Sequence, residues 1–530
     1  MSLALPDPGS GRQVLSEKLV VRAPDRTELR TDVYRPTRGA PFPTVLVRTP
    51  YDAADPGHLQ LAGALVRRGF AVVLQNVRGR YGSEGTFSPF LHEREDGAAT
   101  LGWLAGQPWC DGRVVPFGLS YSTYTAFALA AGPRQGLILP GLVALAGMAT
   151  PYDFFYRGGA LVLHWALPWS LLVAGDRQRS LHPKELRQRL QEALGGGPGW
   201  REWTSSRLPA EEPWREIDLV PDLPSPPPVL HAGGWGDFAI DAGLALYHRL
   251  AQVATPGSQR LIVGPWTHER ILSALLAGLG VGGTVPDPAD SGLAEGVLAA
   301  LETWLRPGDS RRAGASVRLW RTEGNEAEGK WLSFPAWPSA ARRATFHLAS
   351  GGRLGEHPSD DGGADRWLHR PDDPVPTHGG RCWPMAGWSA AGPLDQTPVE
   401  ERPDVRVYTS DPLPAELDTC GAPAAELWVA EPSTVAAEPV HYHAKLVDVQ
   451  PDGRALFVAD GVERAGASAV ARQITVRIGT ICHRFRAGHR VRLEVAASDH
   501  PRFAGAGREG RRTLHFGSPL SSRLHLPLGN

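Results

Sequence analysis

Short apolar runs that end at loops alternate, along the first part of the chain, with stretches of helical period. Leu19-Val-Val-Arg22 and Thr31-Asp-Val-Tyr34 read as early strands, Pro43-Thr-Val-Leu-Val-Arg48 as a buried strand, and His58 to Arg68 as a helix. Ala71-Val-Val-Leu-Gln75 is a further strand, followed by the loop Arg78-Gly-Arg-Tyr-Gly-Ser-Glu-Gly85; Glu95 to Ala105 is again helical. The pattern changes at Thr150. From there to Pro228 it predicts helices (Leu161 to Val173, Pro183 to Leu194), with dense tryptophan and a Pro-rich linker, Pro221 to Pro228, at its end. Strand and helix alternation resumes with Pro228-Val-Leu-His-Ala232, Arg260-Leu-Ile-Val-Gly264 and the helix Leu293 to Leu305. Beyond Ala315 only short strand-like runs remain, spaced by Gly, Pro and Asp turns such as Pro451-Asp-Gly453.

Alternating strands and helices imply a mostly parallel sheet with its site beyond the strand C-termini. The expected fold is therefore α/β. A catalytic domain is built from residues 1–149 and 229–314 and interrupted by a helical insertion at 150–228. Residues 315–530 form a C-terminal β-sandwich of jelly-roll type, with Gly351 to Gly380 read as a long polar loop.

At 530 residues the chain exceeds one hydrophobic core, in line with several domains. Lys and Arg number 55 against 56 Asp and Glu, a net charge of −1 with no long block of one sign, which leaves no electrostatic footprint for nucleic acid or an anionic membrane. No apolar run approaches the length of about 18 residues that would span a bilayer. Met1 to Lys18 lacks a basic segment followed by an apolar core, and the four cysteines are scattered without metal-site spacing. The expectation is a cytoplasmic protein with free thiols, no metal and no organic cofactor.

The chemistry enters at Arg113-Val-Val-Pro-Phe-Gly118-Leu-Ser120-Tyr121-Ser122. A β-branched strand, a glycine that permits a sharp turn and a helix-prone run after the serine form the pattern of a nucleophile elbow. A serine hydroxyl needs a base, and the base needs a third group to hold its tautomer. Asp237 and His268 follow it in the order acid, then base: Asp237 in Gly233-Gly-Trp-Gly-Asp237, beyond the strand ending at Ala232, and His268 in Gly264-Pro-Trp-Thr-His268, beyond the next strand. His164, His182, His231 and His248 are weaker candidates for the base, and Trp165 and Trp169, at helical spacing i, i+4, together with Trp235, are candidates to line the substrate pocket.

Several phrases resemble those of the CocE/NonD serine hydrolases. They are Arg48-Thr-Pro-Tyr51, Arg78-Gly-Arg80, Gln107-Pro-Trp-Cys-Asp-Gly112, Gly118-Leu-Ser-Tyr121, Gly234-Trp-Gly-Asp237 and Gly264-Pro-Trp-Thr-His268. In the C-terminal part Ser410-Asp-Pro-Leu413, Ala444-Lys-Leu-Val-Asp-Val449, Gly461-Val-Glu-Arg464, Phe485-Arg-Ala-Gly-His489 and Ser498-Asp-His-Pro-Arg-Phe503 add to the likeness. The resemblance implies an α/β-hydrolase fold and a triad of Ser120, His268 and Asp237. It also implies an oxyanion hole made by the Tyr51 hydroxyl and the Tyr121 backbone N–H. Four positions depart from the pattern: Ser122 for the usual glycine, Pro116 inside the elbow strand, Asn76 for aspartate, and Gly236 for an aromatic.

The activity expected is hydrolysis of an ester or amide of a small molecule through a Ser120 acyl-enzyme. Three alternatives remain at this point: an acyltransferase using the same intermediate, a catalytically silent binding protein, and an X-Pro dipeptidyl-peptidase-type aminopeptidase. The last is less favoured because nothing marks an anionic site for a free amine and no additional N-terminal domain is evident. The β domain leaves room for a homo-oligomeric interface.

Overall fold

A computed structural model of the chain describes residues 14–174, 211, 214–223, 225–281, 291–306, 316–338, 342–383, 390–431, 439–505 and 509–529. The helix expected at Pro183 to Leu194, and His182 with it, lie outside the described residues.

The N-terminal sheet contains β1 (Val14–Arg22), β2 (Glu28–Pro36), β3 (Phe42–Thr49), β4 (Ala71–Asn76), β5 (Cys110–Leu119) and β6 (Leu142–Leu145). After a short hairpin, β7 (Tyr156–Arg157) and β8 (Ala160–Leu161), it continues with β9 (Val229–Gly236) and β10 (Gln259–Thr267). The spatial order is β1-β2-β4-β3-β5-β6-β9-β10. From β4 through β10 the neighbouring strands are parallel, while β2 runs antiparallel to both β1 and β4. A parallel strand is buried on both faces, which is why β4 reads Ala-Val-Val-Leu without alternation.

Helices α1 (Pro56–Arg67), α2 (Glu93–Ala105) and α3 (Tyr121–Ala131) connect these strands, and α4 (Pro151–Phe155) and α5 (Leu163–Ala174) belong to the insertion. They are followed by α6 (Ile240–Ala251), α7 (His268–Gly278) and α8 (Ser291–Leu305). Helix α1 shows how locally each is written. Asp55 accepts the Gly57 N–H at 2.8 Å as N-cap, Pro56 occupies the first turn, and Leu61, Leu65 and Val66 face the sheet fully buried. Each such side chain contributes about 1.5–3 kcal/mol on leaving water.

Pro116 falls where β5 changes neighbours. Its ladder with β3 ends at Leu46 opposite Pro116, and its ladder with β6 begins at Phe117 opposite Val143. The missing N–H thus sits at a changeover between two partners.

The C-terminal domain is an all-β unit with its own apolar core, including Leu427, Tyr442, Leu446, Val476, Leu493 and Leu526. Two expectations need correction. The strand Val317–Glu323, β11, assigned by its pattern to the β domain, pairs in parallel with β10 and extends the hydrolase sheet. Its antiparallel partner is β12 (Asn325–Phe334). A strand carries no mark of the sheet it joins, so the boundary drawn at 314/315 cuts through that sheet. The segment Gly351 to Gly380 is not one loop either. It contains Arg353–Gly355 and Gly363–His369, the latter paired with Gly510–Phe516. That strand ends the sheet; Arg366 points outward, while Asp365 lies on the face of buried Trp367 and His369 and accepts from the Tyr408 hydroxyl, and these polar residues hide the strand signal. Among the described residues no helix is long and apolar enough to cross a membrane.

Candidate active site

Ser120 lies between β5 and α3 with φ 58° and ψ −127°, a conformation that L-residues rarely adopt and that the elbow imposes. Two glycines make the turn geometrically available. A Cβ on Gly118 would lie 2.2 Å from the Ser122 carbonyl oxygen, and one on Gly147 would lie 2.4 Å from the Thr123 side chain. The Ser120 N–H donates to the Leu145 carbonyl at 2.9 Å, fixing the elbow to β6. Ser122, in place of a glycine, is buried, and among the described residues its hydroxyl oxygen has no hydrogen-bond partner.

Asp237 follows β9 and is fully buried. Its Oδ1 accepts from the Ala239 N–H at 2.8 Å and lies 2.8 Å from His268 Nδ1, at the start of α7. Phe238 stacks on the imidazole with ring centroids 4.3 Å apart. Burial of His268 disfavours its charged form, yet the Asp237 charge and hydrogen bond, aided by Glu269, hold its pKa above the ordinary value.

Tyr51 stands on the turn after β3, its hydroxyl 3.3 Å from Ser120 Oγ. The Tyr121 backbone N–H also faces that hydroxyl, and burial pushes the Tyr51 pKa up, so it remains a protonated donor. The Tyr121 side chain is turned away from the reaction centre. Its hydroxyl donates to Glu93 Oε1 at 3.0 Å and accepts from the Phe90 N–H at 2.7 Å, and Glu93 pairs with buried Arg48 at 3.0 Å. Asn76 anchors the Tyr51 turn from below: its Oδ1 accepts from Ala53 N–H at 2.8 Å and its amide donates to the Tyr81 carbonyl at 2.9 Å. An aspartate there would lack that second donor.

Ser120, Tyr51, Tyr121 and His268 line one cavity of about 350 Å³ whose walls are mainly aromatic and aliphatic: Phe90, Phe154, Phe155, Trp165, Trp169 and Leu172 among them. Trp165 packs against Phe154 at 4.2 Å and Phe155 at 4.5 Å between centroids. Asp52, Asp55, His58 and Glu269 occur in the same wall.

Trp235 is a correction. Strand β9 continues through Gly236, so Trp235 is an in-strand residue whose ring goes to the far side, packed with Ile240 and Trp320. Its indole N–H donates to the Trp320 carbonyl at 2.6 Å, and it takes no part in the Ser120 cavity. Of the other histidines, His231 is buried against Gln259 at 3.0 Å, His164 is buried in the insertion, and His248 lies on α6. Sequence reasoning missed Phe238, Trp383 and Glu93. Trp383 reaches the cavity from the C-terminal domain, and only the Gly-Asp-Phe context of Phe238 carried any local signal. Among the described residues no group of three or more His, Cys, Asp or Glu is arranged to hold a metal ion.

A sheet of this order, with a strained serine at the elbow and an Asp–His pair on the two following loops, defines a serine hydrolase of the α/β-hydrolase class. Residues 25–270 match the family model described as X-Pro dipeptidyl-peptidase (S15 family), and residues 313–527 match that of the X-Pro dipeptidyl-peptidase C-terminal non-catalytic domain. Models of the catalytic and the non-catalytic part of one family of serine hydrolases thus match consecutive stretches of the chain. It is 28% identical over 547 residues to cocaine esterase of Rhodococcus sp. (strain MB1 Bresler), covering 93% of this chain and 92% of the relative. The fold is similar to that of an α-amino acid ester hydrolase (TM-score 0.80, 20% identity, 99% and 98% of the two chains). It is equally similar to an aminopeptidase from a marine sediment Thaumarchaeota archaeon (TM-score 0.80, 19% identity, 98% of each chain).

Proposed function

We propose that the protein hydrolyses carboxylic esters of small molecules with an apolar acyl part, through an acyl-enzyme on Ser120. The observation that carries this reading is the meeting, at one apolar cavity, of Ser120, the Tyr51 hydroxyl 3.3 Å from it, and the His268–Asp237 pair. Ser120 Oγ attacks the ester carbonyl while His268 accepts its proton. Asp237 holds the imidazole with Nδ1–H toward itself and stabilises the imidazolium. The Tyr51 hydroxyl and the Tyr121 N–H donate to the tetrahedral oxyanion, where removing one donor costs on the order of a hundredfold or more in rate. His268 then protonates the leaving alcohol. Water, deprotonated by the same imidazole, attacks the acyl carbonyl and releases the acid and Ser120. The aromatic wall around Trp165 and Phe155 suits an aryl or branched acyl group.

The experiment is intact mass after treatment with a fluorophosphonate, wild type against Ser120→Ala, followed by rates on aryl esters of graded acyl size. One adduct on wild type and none on the variant is expected; labelling that survives Ser120→Ala overturns the assignment. Product analysis with added amines or alcohols separates hydrolysis from acyl transfer.

The S15 description of the matched family favours a second reading, removal of Xaa-Pro dipeptides. Xaa-Pro 4-nitroanilides measured beside the esters decide between the two. A cytoplasmic location is part of the proposal, supported by the buried free thiols of Cys382, Cys420 and Cys482.

A further inference from the structure

Helix α5 belongs to the insertion, and its Trp169 does more than face the cavity. The indole Nε1–H donates to the Tyr51 hydroxyl at 3.3 Å. That oxygen is then approached by two N–H donors, Trp169 Nε1 and the Tyr121 backbone, and lies 3.3 Å from Ser120 Oγ. A phenol oxygen has one proton and accepts only at its lone pairs. With the acceptor side taken by N–H groups, its proton is left to point at Ser120, where the oxyanion will form.

We infer that Trp169 is a positioning residue of the oxyanion hole, supplied by the insertion, which orients and polarises the Tyr51 hydroxyl toward the developing negative charge. When the tetrahedral intermediate forms, the Tyr121 N–H turns to the oxyanion, and the Trp169 N–H alone stays on Tyr51. A donor whose oxygen itself accepts a hydrogen bond donates more strongly.

Two further observations show that this contact is built. The indole plane is held by stacking on Tyr121 (5.8 Å, 21°) and Phe90 (6.2 Å, 24°). Independently, buried Arg80 joins the two segments that must stay in register: its Nε donates to the Pro50 carbonyl at 2.9 Å, just before Tyr51, and its Nη1 to the Val173 carbonyl at 3.0 Å, one turn after Trp169. The guanidinium therefore clamps α5 onto the Tyr51 turn.

This inference rests on the proposed roles of Ser120 and Tyr51, so its test is a double-substitution cycle. Hydrolysis of 4-nitrophenyl acetate is measured for wild type, Trp169→Phe, Tyr51→Phe and the double variant, the acetyl group being too small to need the indole as a wall. Trp169→Phe is expected to lower kcat about threefold to tenfold, the worth of one hydrogen bond, with KM changed less than about twofold. In the Tyr51→Phe background the same substitution is expected to change kcat less than about twofold. An equal loss in both backgrounds, no loss at all, or a loss confined to KM overturns the role of Trp169. A Tyr51→Phe enzyme as fast as wild type overturns the reading beneath it instead. Placing 3-benzothienylalanine at position 169 keeps the ring's shape and removes the N–H. It is expected to reproduce the loss, and wild-type kcat with it would assign the effect to packing and sink the inference.

Discussion

His268 must be neutral to accept the Ser120 proton, and the charges of Asp237 and Glu269 favour its protonated form. Activity is therefore expected to fall, as pH drops, through a value above that of an ordinary histidine. Glu269 is exposed at the cavity wall and makes no hydrogen bond to Asp237 or Ser120 among the described residues, so Glu269→Gln keeps the size of that side chain and removes its charge. The acid limb of kcat/KM should move to lower pH by about half a unit or less. A limb that stays in place, or moves up, contradicts that account. Asp237→Asn keeps the shape but offers His268 a donor where an acceptor is required, and kcat should fall about 10³–10⁴-fold with the fluorophosphonate adduct slowed in parallel. Ser120, Asp237 and His268 were legible because each follows an apolar strand, and strand ends are where such a sheet presents chemistry. Tyr51 was legible only through a family phrase, since a tyrosine after a strand is ordinarily packing. Trp235 was misread for the opposite reason: two glycines before it suggested a loop, while the strand ran on and carried its side chain to the other face.

Between residues and domains, the turns after β3 and β4 behave as one unit. Asn76 ties Ala53 to Tyr81, Ser83 Oγ donates to the Asn76 carbonyl at 2.8 Å, and Arg80 reaches from there to α5. Asn76→Asp replaces the amide donor facing the Tyr81 carbonyl with a second acceptor, leaving an unpaired buried group. A loss of about 1–3 kcal/mol in urea unfolding is expected, together with a lower kcat because Tyr51 sits on the loosened turn. Unchanged stability would show that the turns are held elsewhere. These links join residues far apart in the chain, and periodicity, which reports only which face of an element is apolar, has no access to them. The same limit explains β11 and Gly363–His369. Their strand character depends on which sheet receives them and whether they end it, and both facts belong to the fold.

Over the whole molecule, the insertion, the hydrolase domain and the β domain meet at a buried charge network. Asp241 on α6 pairs with Arg157 of the β7–β8 hairpin at 2.7 Å and with Arg381 of the β domain at 2.8 Å. Arg157 also donates to the Asp460 carbonyl at 2.8 Å, and Arg502 pairs with Asp460 at 2.8 Å. Burial disfavours the Asp241 carboxylate, but the two guanidinium groups prevail and bring its pKa down to about 2. A carboxylate held below its unfolded value adds stability above the unfolded pKa and loses it as pH falls through the folded one. This contribution is thus present at neutral pH and disappears between about pH 4 and pH 2. Asp241→Ala removes the carboxylate shared by buried Arg381 and partly buried Arg157 and leaves them their carbonyl partners, so it should cost about 3 kcal/mol or less, read as a drop in the thermal midpoint at pH 7 that narrows toward pH 2. A midpoint unchanged at pH 7 would refute the network's role.

The pairing of β11 with β10 has a consequence for how the chain can be cut. The second family model begins at residue 313, an inviting place to trim the protein to its catalytic part. Removing the residues beyond that point would strip β10 of its neighbour at Leu261 to Val263 and take Trp383 from the cavity wall. The exposed backbone of that edge is a template for another copy of itself. A trimmed enzyme made this way is a candidate for fibres or inclusion bodies rather than for crystals. A usable minimal enzyme would have to keep β11 and β12 and replace the strand Ile481–Phe485 that meets β11 on its other side.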